Sequence, residues 1–147
     1  MARILLERLR RAGYANQVWP TQFGFRRYRG TGDALILARR IIDDAWANKD
    51  CRAILLALDW AKAFDSVSSA ALTNALLQFG IPAPSVGMIQ LIYTGRRFIV
   101  RDASRTAGWH AQHFGLCQGC PLSPFLFVIV MQHSQMHYYN SAYRRHL

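Results

Sequence analysis

The sequence predicts an α+β fold, a small antiparallel sheet packed against helices. Three observations carry that reading. Apolar residues recur at helical spacing over Asp33–Asn48, over Ser66–Phe79 and beyond Ser123. An apolar run of strand length, Cys51–Leu58, lies between the first two. Two further short runs, Arg96–Asp102 and Gly108–Phe114, flank Ala103–Ala107 as the arms of a hairpin would.

The elements follow in chain order. Ala2–Arg11 mixes Ile4, Leu5, Leu6 and Leu9 with Arg3, Glu7, Arg8, Arg10 and Arg11, the pattern of an amphipathic helix stopped near Gly13. Tyr14–Gly32 is loop-like, with Pro20, Gly24, Gly30 and Gly32. In Asp33–Asn48, Leu37, Ile41 and Ala45 repeat every four residues, and Asp33 or Thr31 can cap the start. Asp43 and Asp44 fall late in that helix and are expected to face water. Ser66–Phe79 reads as the next helix, with Gly80 as its C′ residue and Pro82 beyond. Ser85–Thr94 is a short helix before the hairpin. Gly115–Gly119 is a loop. Ser123 as N-cap and Pro124 as first helical residue then open a mostly apolar helix to about Tyr139. Arg144 and Arg145 fall where a helix C-terminus would favour cations.

The stretch ALDWAKAFDSV, Ala57–Val67, joins the expected strand to the expected helix. Asp59 falls at the strand's carboxyl end and Asp65 at the helix start. A carboxylate held there can face a ligand, and the turn between can aim backbone N–H groups at a phosphate. A metal carboxylate beside a phosphate cradle is what phosphoryl or nucleotidyl transfer needs. The plainer readings stand beside it: Asp65 as a helix cap, Asp59 as half of a structural ion pair.

Charge points to a polyanionic partner. Eighteen basic residues, 16 of them Arg and only Lys49 and Lys62 otherwise, stand against 8 acidic ones, for a net charge of +10. Arg26, Arg27 and Arg29 interleave with Phe23, Phe25 and Tyr28, a mixture suited to a nucleic-acid backbone with stacked bases. Arg96, Arg97, Arg101 and Arg105 make the hairpin basic as well. With 52% hydrophobic residues the chain can build a core. Three cysteines provide no even disulfide framework, which suits a reducing intracellular compartment. No signal peptide is expected, because charge runs through the apolar start. No membrane span is expected either, because the longest uncharged apolar run, Pro124–Met131, is too short.

Three stretches carry a resemblance to a known family. LDWAKAFDSV, Leu58–Val67, resembles the first catalytic motif of reverse transcriptases. GLCQGCPLSPFLF, Gly115–Phe127, resembles their second palm motif, and QFGFRRYRGTGDA, Gln22–Ala34, the segment before the first. They occur in family order, cover nearly the whole chain, and are worded more like non-LTR, LINE-like retroelements than retroviral or group II intron enzymes.

The resemblance implies a fragment of polymerase fingers and palm, with residues 1–48 as fingers and palm-proximal helices and 49–147 as palm. Asp59 is then the catalytic carboxylate, a ligand of Mg²⁺ or Mn²⁺ in a two-metal transfer, with the Trp60 carbonyl as a further contact. Phe64 matches the aromatic beneath the nucleotide sugar, which leaves no room for a 2′-hydroxyl. Ala63 and Asp65 flank it in the nucleotide site. Gln118 matches the glutamine that meets the incoming nucleotide and template strand, and Gly119 lets the backbone approach. Arg26, Arg27 and Arg29 become nucleic-acid contacts. The implied partners are an RNA template, a DNA primer and a dNTP.

Two family parts have no match here. No acidic residue follows Gly119, so the aspartate pair of the third motif is absent, and the basic finger segment upstream has no counterpart. The expectation is a partial domain that does not polymerise unaided, with an exposed sheet edge beside Cys51–Leu58 and poor solubility. Two rival classes remain. His110, His113, Cys117 and Cys120 have zinc-ligand spacing, although His110 and His113 on a strand would face opposite ways. His133 and His137 share a helical face, a weaker signal. A non-catalytic nucleic-acid-binding relic would keep the charge without the chemistry.

Overall fold

A computed structural model describes the backbone of residues 1–143 and the side chains of residues 1–136. Arg144, Arg145 and the His137 side chain lie outside the described part.

Helix α1, Ala2–Arg11, forms where the amphipathic pattern places it and buries Leu5, Leu6 and Leu9. A 3-10 turn, Tyr14–Gln17, follows Gly13. Helix α2, Thr31–Ala47, starts two residues before the expected Asp33, whose carboxylate reaches back 2.8 Å to the Gly30 N–H. None of its residues is buried: Leu35, Ile36 and Ile41 are exposed, and Trp46 is 87% exposed.

The expected strand Cys51–Leu58 does not form. The run has no ladder partner among the described residues, and Ile54, Leu55, Leu56 and Leu58 face solvent. A strand bonds to a neighbour and not to itself, so apolar content alone leaves it irregular. Asp59 therefore stands in an irregular segment and not at a strand's end.

Helix α3, Ser69–Gln78, begins three residues later than expected. Ser68 caps it, its Oγ accepting from the Ala71 N–H at 3.1 Å, so Asp65 is not the cap. At the other end the Gly80 N–H bonds to Leu77 O and the Ile81 N–H to Leu76 O, the paired closure expected of a C′ glycine. Helix α4, Ala83–Tyr93, leads into a hairpin whose strands β1, Arg97–Phe98, and β2, His110–Ala111, pair antiparallel. Asp102 and Arg105 exchange two backbone bonds, so the tip is Ala103–Ser104, tighter than Ala103–Ala107.

Helix α5, Ser123–Tyr143, packs on α3. Ser123 is its first residue and not a cap. Its hydroxyl lies 2.9 Å from the Tyr93 hydroxyl in the buried interior. One apolar core joins α1, α3, α4 and α5, centred on Leu76, Ile89, Leu122, Leu126 and Ile129, with Val67 and Leu116 entering from the loops. The result is a mixed architecture, helices with one small two-stranded antiparallel sheet.

Candidate nucleotide site

Two loops meet beside this core. The first descends from Asp59 through a tight turn in which the Ser66 N–H donates to Lys62 O at 2.9 Å. The second runs from Phe114 to Cys120. Their backbones cross-bond. The Leu116 N–H donates to Phe64 O at 2.9 Å, the Gly115 N–H to Val67 O at 2.8 Å, and Ser68 pairs antiparallel with Phe114. The fit is tight at Gly115. Its φ is +91°, and a Cβ there would stand 3.0 Å from the Asp65 Cα. Only glycine meets both demands without strain.

That crossing joins the two stretches the sequence singles out. The Gln118 amide donates to the Asp65 carboxylate at 3.3 Å, across 53 positions of chain. Phe64 is half-buried. Its ring stacks on Phe127 of α5 at 4.4 Å and meets the edge of Phe25 at 5.8 Å. Phe25 belongs to the arginine-rich loop, so all three stretches converge on one aromatic cluster. Ala63 is half-buried beside Phe64, and its carbonyl accepts from the Ser66 hydroxyl. Trp60 is 44% exposed.

Asp59 is exposed, and its carboxylate accepts from the Trp60 N–H at 2.8 Å. Among the described residues it forms no ion pair, so the structural salt-bridge reading is not realised. Among the described residues no hydrogen bond links Asp59 to Gln118. Asp59 is a hard oxygen donor of the kind Mg²⁺ takes, but no group of three or more His, Cys, Asp or Glu gathers among the described residues. A complete two-ion centre does not fit the residues present. The zinc reading fails on the same ground. His110 stacks on Phe98, and Cys117 pairs with an arginine.

The arginines divide between bracing and display. Arg26 donates to Trp19 O at 2.7 Å and Arg29 to Pro20 O, while Arg27 lies over the Tyr28 ring. Arg26 and Arg27 also line an open cleft of about 930 Å³ with Arg10 and Arg11 of α1. Arg10 and Arg11 escape a motif search, their only signal being a basic helix end. Arg96 is a second case: the sequence names it only as a basic residue of the hairpin, not as a brace for this loop. It donates to Gly115 O and to the Cys117 sulfur, and lies over the Tyr93 ring at 4.7 Å. Phe127 is a third, legible only once the fold places it under Phe64.

The family model for reverse transcriptase (RNA-dependent DNA polymerase) matches residues 1–144. The chain belongs to the reverse transcriptase family. Two relatives are retrotransposon proteins of Drosophila melanogaster, both of the non-LTR kind. One is the retrovirus-related Pol polyprotein from type-2 retrotransposable element R2DM, 33% identical over 117 residues, 76% of this chain and 10% of the relative. The other is the probable RNA-directed DNA polymerase from transposon X-element, 34% identical over 109 residues, 74% of this chain and 12% of the relative. The chain thus spans about a tenth of the length of the curated relatives it matches. No solved structure matches it. Reverse transcriptases generally use divalent metal ions and act on RNA template, DNA primer and nucleotides. No helix among the described residues is long and apolar enough to cross a membrane.

Proposed function

We propose that this reverse transcriptase chain supplies the nucleotide-facing part of an RNA-directed DNA polymerase, the portion of palm and adjoining fingers that holds the incoming dNTP against template and primer. The observation that carries the reading is the hydrogen bond from Gln118 to Asp65, with the backbone crossing beneath it. Two motifs far apart in sequence share one surface, as a nucleotide site requires. Phe64, steadied from behind by Phe127, is the floor for the sugar and selects against a 2′-hydroxyl. Gln118 and Gly119 present an amide and open backbone to the base pair being formed. Asp59 is one carboxylate donor to a divalent cation. Since a two-ion centre does not fit the residues present, the chain alone is expected not to extend a primer. Arg26, Arg27 and Arg29 are phosphate contacts, and the cleft that Arg26 and Arg27 share with Arg10 and Arg11 continues the basic surface.

Photocrosslinking of a dNTP analogue in the presence of an RNA–DNA primer-template tests this. Label should map to residues 59–65 and 115–119, compete with dNTP in preference to rNTP, and lose that preference in Phe64→Ala. Label elsewhere, or none, overturns it. Primer extension with Mg²⁺ is the companion assay, and robust incorporation by this chain would refute the expected inactivity. A non-catalytic binder is the rival reading, since the basic cleft would serve it equally well. It requires salt-sensitive nucleic-acid binding that Asp59→Ala leaves intact, with no nucleotide-specific crosslink.

A further inference from the structure

We propose that Cys117 and Cys120 form a peroxide-sensitive dithiol, oxidised to an intramolecular disulfide that closes around Gln118 and Gly119.

Turn geometry supports the pair. The Cys120 N–H bonds to Cys117 O at 3.3 Å, and Gly119 has a φ of +82°. A four-residue turn with positive φ at its third position keeps its end Cα atoms within about 7 Å. A disulfide bridges Cα atoms roughly 4.4–6.8 Å apart. A turn of this kind brings its two ends to about the separation a disulfide spans, and both cysteines are half-buried and free.

Electrostatics then orders the chemistry. The Arg96 guanidinium donates to Cys117 Sγ at 3.0 Å, and among the described residues it has no carboxylate partner. Its other contacts are the carbonyls of Tyr93, Phe114 and Gly115 and the face of Tyr93. A cation in that position supports negative charge on the Cys117 sulfur as it attacks. Cys117 is thus the attacking sulfur and Cys120 the resolving one.

The step balances with hydrogen peroxide as oxidant. The Cys117 thiol gives up its proton and the thiolate attacks one peroxide oxygen; the S–O bond forms, the O–O bond breaks, and the departing hydroxide takes up that proton as the first water, leaving sulfenic acid. The Cys120 sulfur then attacks the Cys117 sulfur, the S–S bond forms, and the sulfenic oxygen departs as a second water. Two thiols lose two electrons in all, and the peroxide gains them. The closed ring fixes the backbone at Gln118 and removes the thiol partner of Arg96. Only the effect on Gln118 as a nucleotide contact rests on the polymerase reading, and thiol mapping needs no polymerase activity, so the two can fail separately.

The test is limited oxidation of the purified chain with hydrogen peroxide, followed by thiol blocking and peptide mapping. The exposed Cys51 is an internal control. The expected result is a Cys117–Cys120 crosslink in monomer, lighter by two hydrogens and reversed by dithiothreitol. It should form about tenfold faster than Cys51 oxidises. Cys120→Ser should stop at a sulfenic acid on Cys117, trapped by dimedone. Arg96→Lys should keep part of the rate and Arg96→Gln lose it, with circular dichroism confirming that each variant is folded. Cys51 reacting as fast as Cys117, crosslinks only between chains, or sulfenic acid on Cys120 in the native chain would each overturn the proposal.

Discussion

Two apolar regions of this molecule meet opposite fates. Helices α3 and α5 bury Leu72, Leu76, Leu126 and Ile129 in the common core. Helix α2 and the Cys51–Leu58 run, of comparable apolar content, leave theirs in solvent. The difference lies in where the backbone bonds come from. A helix satisfies its own N–H and C=O groups, so α2 forms without burying its stripe. A strand cannot, and Cys51–Leu58 stays irregular without a neighbour. Local pattern thus suffices for a helix, while a strand is a statement about two segments at once.

The sharpest way to break the contrast is to truncate one leucine on each side. Leu76 is fully buried and Leu56 is 75% exposed. Leu76→Ala should cost about 2–5 kcal/mol in urea unfolding. Leu56→Ala should stay within about 0.5 kcal/mol. Equal losses would mean that the exposed run packs in solution. Next in size is Gly115→Ala, which forces a Cβ against the Asp65 backbone at positive φ and should cost about 1–3 kcal/mol. Leu76→Ala destabilises the core without touching the loop crossing. Only the glycine variant should also displace Gln118 from Asp65, visible as a change in the Gln118 amide NMR signals.

Tyr93→Phe strands the buried Ser123 hydroxyl and should cost roughly 1–3 kcal/mol. It also carries a pH signature. Burial pushes the Tyr93 phenol above its ordinary value of 10.0, against the opposing pull of Ser123. The neutral phenol is favoured in the folded state. As pH rises past about 10 the unfolded chain ionises first, and stability falls until the folded phenol also ionises. Tyr93→Phe should flatten that alkaline slope, whereas Leu56→Ala should leave it unchanged. The smallest effect is expected from Ser68→Ala, about 1 kcal/mol for the lost cap of α3. Asp65→Ala should leave the start of α3 intact by circular dichroism, because Asp65 does not cap it.

Much of this was legible in the residues. The α1 pattern, Gly80 at the end of α3 and the hairpin around Ala103 are local signals, and each appears where its chemistry places it. The expected strand at Cys51–Leu58 does not form because the length and apolarity of a run do not report a partner. Ser123 takes a buried place instead of the expected cap, because a serine before proline cannot reveal a tyrosine hydroxyl 30 positions away. At the site, the motifs point to Asp59 as the carboxylate that works with Gln118, whereas the Gln118 amide bonds to Asp65, a partner that spacing alone does not reveal. The bracing of Gly115 and Cys117 by Arg96, the place of Phe127 and the cleft arginines of α1 are not legible there, since each matters only through what the fold lays beside it.

The ring of Phe64 stacks on Phe127 of α5, so a role for it in substrate choice would tie that choice to thermal robustness. On the proposed reading, one ring screens sugars with one face and anchors the terminal helix with the other. A mutation that relaxes the screen therefore also lowers the melting temperature, and ribonucleotide tolerance cannot arise as a neutral drift step. Lineages exploring it would first need compensating bulk at position 25 or 127, an epistatic order that resurrected intermediates could reveal.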